Sequence, residues 1–110
     1  MGTACTIKVK GFNFAKVYKH WDGYPEATLP WLEFFNAEFT EKRGVDPLYK
    51  FAQLLRSSAF DSGNFNLDSS RETGWGVIEY SYAAGEKYEY TLQDDGSVTV
   101  KAMLWEYQTS

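Results

Sequence analysis

The sequence predicts an α+β fold: an antiparallel sheet of about five strands with two helices packed on one face, in the order ββααβββ. Three observations predict it. Both ends of the chain alternate polar and apolar residues with the two-residue period of a half-buried strand, as in Thr6-Ile7-Lys8-Val9-Lys10. The middle carries apolar residues at helical spacing instead. Turn pairs, of which Asp95-Gly96 is the strongest, separate the strand runs. At 110 residues the chain makes one domain. Its aromatic share of 18% supplies enough large rings to fill a small core without disulfides or metal.

Taken in order, residues 6–10 read as the first strand and Gly11-Phe12-Asn13 as a turn. Residues 14–21 form a second strand, with Ala15, Val17, Lys19 and Trp21 on one face and Lys16, Tyr18 and His20 on the other. Asp22-Gly23 stops it, and Pro25 suits the first position of a helix, where its missing N–H costs nothing. Pro30 either starts a helix of its own or kinks a longer one. Trp31, Leu32, Phe35 and Phe39 then recur at helical spacing, and Arg43-Gly44 ends the helix. Asp46-Pro47 opens a second helix, whose Leu48, Phe51, Ala52 and Leu55 mark one buried face. Residues 61–73 are polar and read as a surface loop. Residues 75–82, 86–92 and 97–105 read as three further strands, with Ala84-Gly85 between the first two. Tyr88, Tyr90 and Leu92, and across from them Val98, Val100, Ala102 and Leu104, are the expected core faces.

Charge and cysteine content narrow the function. The net charge of −4 is unevenly spread, about +2 over residues 1–60 and −6 over residues 61–110. That balance argues against broad nucleic-acid binding, which needs clustered cations. Lys8, Lys10, Lys16 and Lys19 are the one basic cluster and are expected on solvent faces of paired strands. A single cysteine, Cys5, forms no internal bridge and fits a reducing cytoplasm. No stretch reaches the roughly 20 apolar residues of a membrane span, and no signal layout opens the chain. The start Met1-Gly2-Thr3-Ala4-Cys5-Thr6 has the form of a myristoylation signal, but reads more simply as small residues leading into a strand.

The run His20-Trp21-Asp22-Gly23-Tyr24-Pro25-Glu26 holds the single histidine. His20 with Asp22 and Glu26 could serve as a general base, and His20, Trp21, Asp22, Tyr24 and Glu26 together form the candidate ligand site. The plainer reading is a histidine satisfied at a strand end, with Trp21 and Tyr24 stapling the junction. One histidine and one cysteine leave little room for zinc, and a Cys5–His20 nucleophile lacks a visible activating geometry. Residues 61–72 have the length of an EF-hand loop, yet Gly63 and Phe65 stand where it needs ligands and Asn66 where it needs glycine. No cofactor is called for, no catalytic residue is assigned, and catalysis is less expected than binding. The other candidate surface is an acidic, aromatic sheet face: Glu79, Tyr82, Glu86, Glu89, Trp105 and Glu106, with Tyr and Trp being favoured at protein interfaces.

Residues 18–26, Tyr-Lys-His-Trp-Asp-Gly-Tyr-Pro-Glu, preceded by the Thr6-Ile7 strand and followed by Glu79-Tyr80-Ser81-Tyr82 and an Asp-Gly hairpin, resemble a family of small uncharacterised phage and prophage proteins. The chain departs from that family at Leu29-Pro30-Trp31, where small residues are usual. The resemblance implies phage or prophage origin and a cytoplasmic host setting, and assigns no catalytic residue. The expected function is a small accessory protein binding a host or defence protein through the acidic aromatic face. The alternative is a small-molecule, nucleotide or enzymatic pocket at residues 20–26. An exposed sheet edge would permit a homodimer.

Overall fold

The computed structural model describes residues 3–61 and 74–103. The elements follow the expected order: β1 (Cys5–Val9), β2 (Phe12–Lys19), α1 (Pro25–Arg43), α2 (Pro47–Asp61), β3 (Trp75–Glu79), β4 (Tyr88–Leu92) and β5 (Val98–Ala102). The α+β class holds, with both helices on one face of a five-stranded sheet ordered β3-β2-β1-β4-β5. The sheet is mixed rather than purely antiparallel, because β1 and β4 run parallel, Ile7 opposite Tyr90. The other three pairings are antiparallel. The cause lies in the connection after β3. Residues 80–87 do not fold back as a hairpin; they cross the sheet to enter β4 beyond β1.

The helix boundaries follow local chemistry. Pro25 sits in the first turn of α1, and Gly44 caps its end at φ 68°, its N–H donating to the Thr40 carbonyl. The helix runs unbroken through Pro30, which is exposed, so the one hydrogen bond its ring removes falls on the solvent side. Asp46 Oδ1 accepts the Tyr49 N–H at 3.4 Å and opens α2. Within α2 the buried stripe is Lys50, Phe51 and Leu54. Leu48 is 65% exposed and Ala52 is exposed as well, contrary to the expected face. Pro47 packs against Gly11, where any Cβ would come within 2.9 Å of its ring, and Phe51 stacks on Phe12 at 4.4 Å. These two contacts set the rotation of the helix.

The core lies between the sheet and the helices: Cys5, Ile7, Val9, Val17, Tyr90 and Leu92 against Leu32, Phe51 and Leu54. Val98 joins its margin, while Val100 at 42% and Ala102 are exposed on the edge strand. The opposite sheet face is partly roofed by residues 80–87. Glu86 is fully buried there: Oε2 accepts the Thr6 hydroxyl at 3.0 Å and lies 3.7 Å from Lys16 Nζ, and Oε1 accepts the Ala84 N–H at 3.1 Å. Lys16 is therefore buried, and Lys19 is buried on the helix side of the sheet at the end of β2; neither is solvated as lysines in a small sheet usually are. Lys10 is exposed, and Lys8 pairs with Glu89 at 3.1 Å beneath the Tyr80 ring.

Candidate functional site

Where β2 ends, the chain must leave the sheet and enter α1, and residues 20–24 have few of their backbone groups in regular structure. Buried side chains take up their carbonyls. Lys19 Nζ donates to Trp21 O at 2.9 Å and Asp22 O at 3.1 Å; the Thr28 hydroxyl donates to Asp22 O at 2.6 Å; the Tyr90 hydroxyl donates to Gly23 O at 2.6 Å. The Gly23 N–H donates to Thr3 O at 2.7 Å. Asp22 adopts φ 57°, a conformation that aspartate tolerates better than most residues. Gly23 is enclosed: a Cβ there would meet Cys5 Cβ at 2.7 Å and Thr3 O at 2.8 Å. Burial, with Cys5 and Tyr88 close by, pushes the Tyr90 phenol well above its ordinary range, so it stays a neutral donor.

The side chains of the run point elsewhere. His20 is exposed, shares a 3.0 Å hydrogen bond with the Tyr18 hydroxyl, and meets the Trp21 ring edge-on at 5.1 Å. The His20 backbone N–H donates to Gly74 O at 2.7 Å, and Trp21 lies over Gly74, where a Cβ would come within 2.5 Å of the ring. Trp21 thus staples the junction to the start of β3, while Tyr24 stands 39% exposed. Asp22 and Glu26 are exposed, and neither carboxylate is brought to His20 by a hydrogen bond or ion pair. No group of three or more metal-ligating side chains exists among the described residues. The geometry gives this segment a structural task and leaves a small aromatic surface of His20 and Trp21 beside it.

The sheet-face candidates separate. Glu79 and Tyr82 are exposed, Tyr82 by 56%. Glu89 is half-buried in its pair with Lys8. Glu86, sealed with Lys16 and Thr6, cannot meet a partner. Trp105 and Glu106 lie outside the described residues, as do the expected loop after Asp61 and the end of the last strand.

A surface that the sequence reading passed over lies on α1. Leu32, Asn36 and Phe39 face the core, Asn36 donating to Gln93 O at 3.0 Å and Ser97 O at 2.8 Å. At about 100° per residue, Phe34 projects from the opposite side, and it is 69% exposed. Glu26, Pro30, Glu33, Ala37, Glu38 and Glu41 are exposed with it, and Phe34, Ala37, Glu38 and Glu41 line a shallow depression. The signal was present in the sequence as a phenylalanine off the apolar stripe and among glutamates. No protein-family model, curated protein or solved structure matches the chain.

Proposed function

We propose that this chain is a non-catalytic protein-interaction module, a small phage or prophage accessory protein whose partner is a host or defence protein. One observation carries the reading. The polar chemistry of residues 19–28 is spent on holding a strand–helix junction, while large aromatic side chains that a small core could use stand in solvent: Phe14 at 79%, Phe34 at 69% and Tyr82 at 56% exposure. Exposed aromatics beside carboxylates suit a protein surface that is basic and partly apolar. Among the described residues, the Glu79–Tyr82 end of the sheet and the outer side of α1 are the two surfaces of that kind, and α1 has more carboxylates around its aromatic group.

A second reading rests on the exposed pair His20 and Trp21, which could stack a small planar ligand. Native mass spectrometry of the gently purified protein from its own cells separates the two. The interaction reading expects a stoichiometric co-purifying protein that His20→Ala and Asp22→Ala variants retain. A small bound mass lost in His20→Ala, with no protein attached, would overturn it in favour of the ligand site.

A further inference from the structure

We infer that the outer face of α1 is a docking site for a cationic amphipathic helix of a protein partner, with Phe34 as its apolar anchor. The inference rests on the interaction reading above and names its surface and the chemistry of its occupant.

The charge pattern selects the occupant. Glu26, Glu33, Glu38 and Glu41 are all exposed on this helix. Glu38 meets Lys42 at 3.9 Å, with the two side chains 50% and 69% exposed, a pair weak enough to be exchanged. No cation among the described residues lies within ion-pair distance of Glu26, Glu33 or Glu41. These three carboxylates are about two helical turns apart, roughly 10–12 Å at 1.5 Å per residue. Phe34 stands between the second and third, with Pro30 and Ala37 keeping the surface low on either side. A helix laid along α1 with Lys or Arg at two-turn intervals and an apolar stripe between them meets each feature: its cations face the glutamates and its stripe covers Phe34. Aromatic anchors ringed by polar residues are the usual centre of binding energy at such surfaces.

The same pattern disfavours other occupants. A two-fold pairing of α1 with α1 of a second copy centred on Phe34 brings a cation only to Glu26, from Lys42, and leaves Glu33 and Glu41 without one. Nucleic acid and anionic lipid are repelled by the carboxylates.

The test uses a fluorescein-labelled 18-residue helical peptide of leucine and lysine, its binding to the whole protein read by fluorescence anisotropy at low and moderate salt. Binding that weakens with salt is expected. Phe34→Ser and the double variant Glu33→Gln/Glu41→Gln should each weaken it tenfold or more. The double variant Asp94→Asn/Asp95→Asn, which removes two charges at the turn between β4 and β5, should change it less than twofold. Equal losses in the two double variants, or no loss in Phe34→Ser, would reduce the binding to the general field of an acidic protein and overturn the site. Sedimentation showing a dimer that Phe34→Ser dissolves would overturn it in favour of a second copy. Absence of peptide binding alongside a stoichiometric partner in the native spectra would overturn this surface while leaving the interaction reading intact.

Discussion

Replacing Glu86 by glutamine should cost the fold about 3 kcal/mol. The carboxylate is fully buried and holds three neighbours: the Thr6 hydroxyl at 3.0 Å, the Ala84 N–H at 3.1 Å and the Lys16 ammonium at 3.7 Å. Glutamine keeps the shape, but its one amide oxygen can accept from only one of the two: with it on the Ala84 N–H, the amide NH2 faces the Thr6 hydroxyl, which must turn to accept. The substitution removes the charge and strands Lys16, which is 3% exposed, without a counter-ion. Breaking a buried pair from one side costs roughly 3–5 kcal/mol, because the remaining charge stays desolvated. The lower end applies here, since at 3.7 Å the pair is longer than a direct hydrogen bond and has less attraction to lose. Lys16→Met alone leaves a carboxylate with two neutral donors and should cost about 2–3 kcal/mol. The double variant Lys16→Met/Glu86→Gln removes both charges and should cost only about 1 kcal/mol, a coupling of several kcal/mol between the sites. Against a total stability of roughly 5–15 kcal/mol these are large effects. With a urea slope of about 1–1.5 kcal/mol per molar for a chain of this size, Glu86→Gln should lower the unfolding midpoint by about 2 M. Single losses below about 1 kcal/mol that simply add in the double variant would refute the reasoning, and would mean that residues 80–87 are not held against the sheet by this pair.

Other expectations follow from the junction and the helix. Tyr90→Phe leaves the Gly23 carbonyl unpaired in a buried place and should cost about 1–2 kcal/mol in urea unfolding near neutral pH. The raised Tyr90 phenol adds a pH effect: its folded value lies above its unfolded value near 10, so its contribution is fully present below pH 10 and is lost as pH rises beyond it. Midpoints measured from pH 9 to 11 should fall less steeply in Tyr90→Phe than in the parent protein. Gly23→Ala forces a methyl group into Cys5 and the Thr3 carbonyl and should destabilise by about 3 kcal/mol or more; a loss under about 1 kcal/mol would show the junction to be looser than described. Phe34→Ser should change stability by no more than about 0.5 kcal/mol, because the ring is mostly in solvent.

Much of the fold was legible because its signals are local. The alternation of residues 6–10, the proline and glycine bounds of both helices and the Asp95-Gly96 hairpin each depend on neighbours in sequence. The hairpin closes as expected, with Asp95 Oδ1 accepting from the Ser97 N–H and hydroxyl and Gly96 at φ 95°. What was not legible depends on residues far apart. The turn at Ala84-Gly85 suggests a hairpin between neighbours, and only the distant pairing of β1 with β4 makes it part of a crossover. Glu86 and Lys16 look like solvated charges until that crossover brings them together, 70 positions apart in the chain. In α2, Leu48-Phe51-Ala52-Leu55 and Lys50-Phe51-Leu54 are both plausible stripes; the contacts of Pro47 with Gly11 and of Phe51 with Phe12 decide between them. The candidate ligand run was placed correctly at a strand–helix junction, but its chemistry proved to lie in backbone carbonyls, which a sequence does not display.

The central claim, that the protein works by binding another protein through the outer face of α1, is tested most directly by a photo-crosslinking amino acid placed at position 34 and irradiated in cells of the protein's own source. The account predicts one discrete crosslinked protein with a basic surface, lost when Glu33→Gln and Glu41→Gln are added and absent when the crosslinker sits at position 82. Crosslinks that form equally from position 82, or that survive removal of both carboxylates, would contradict it.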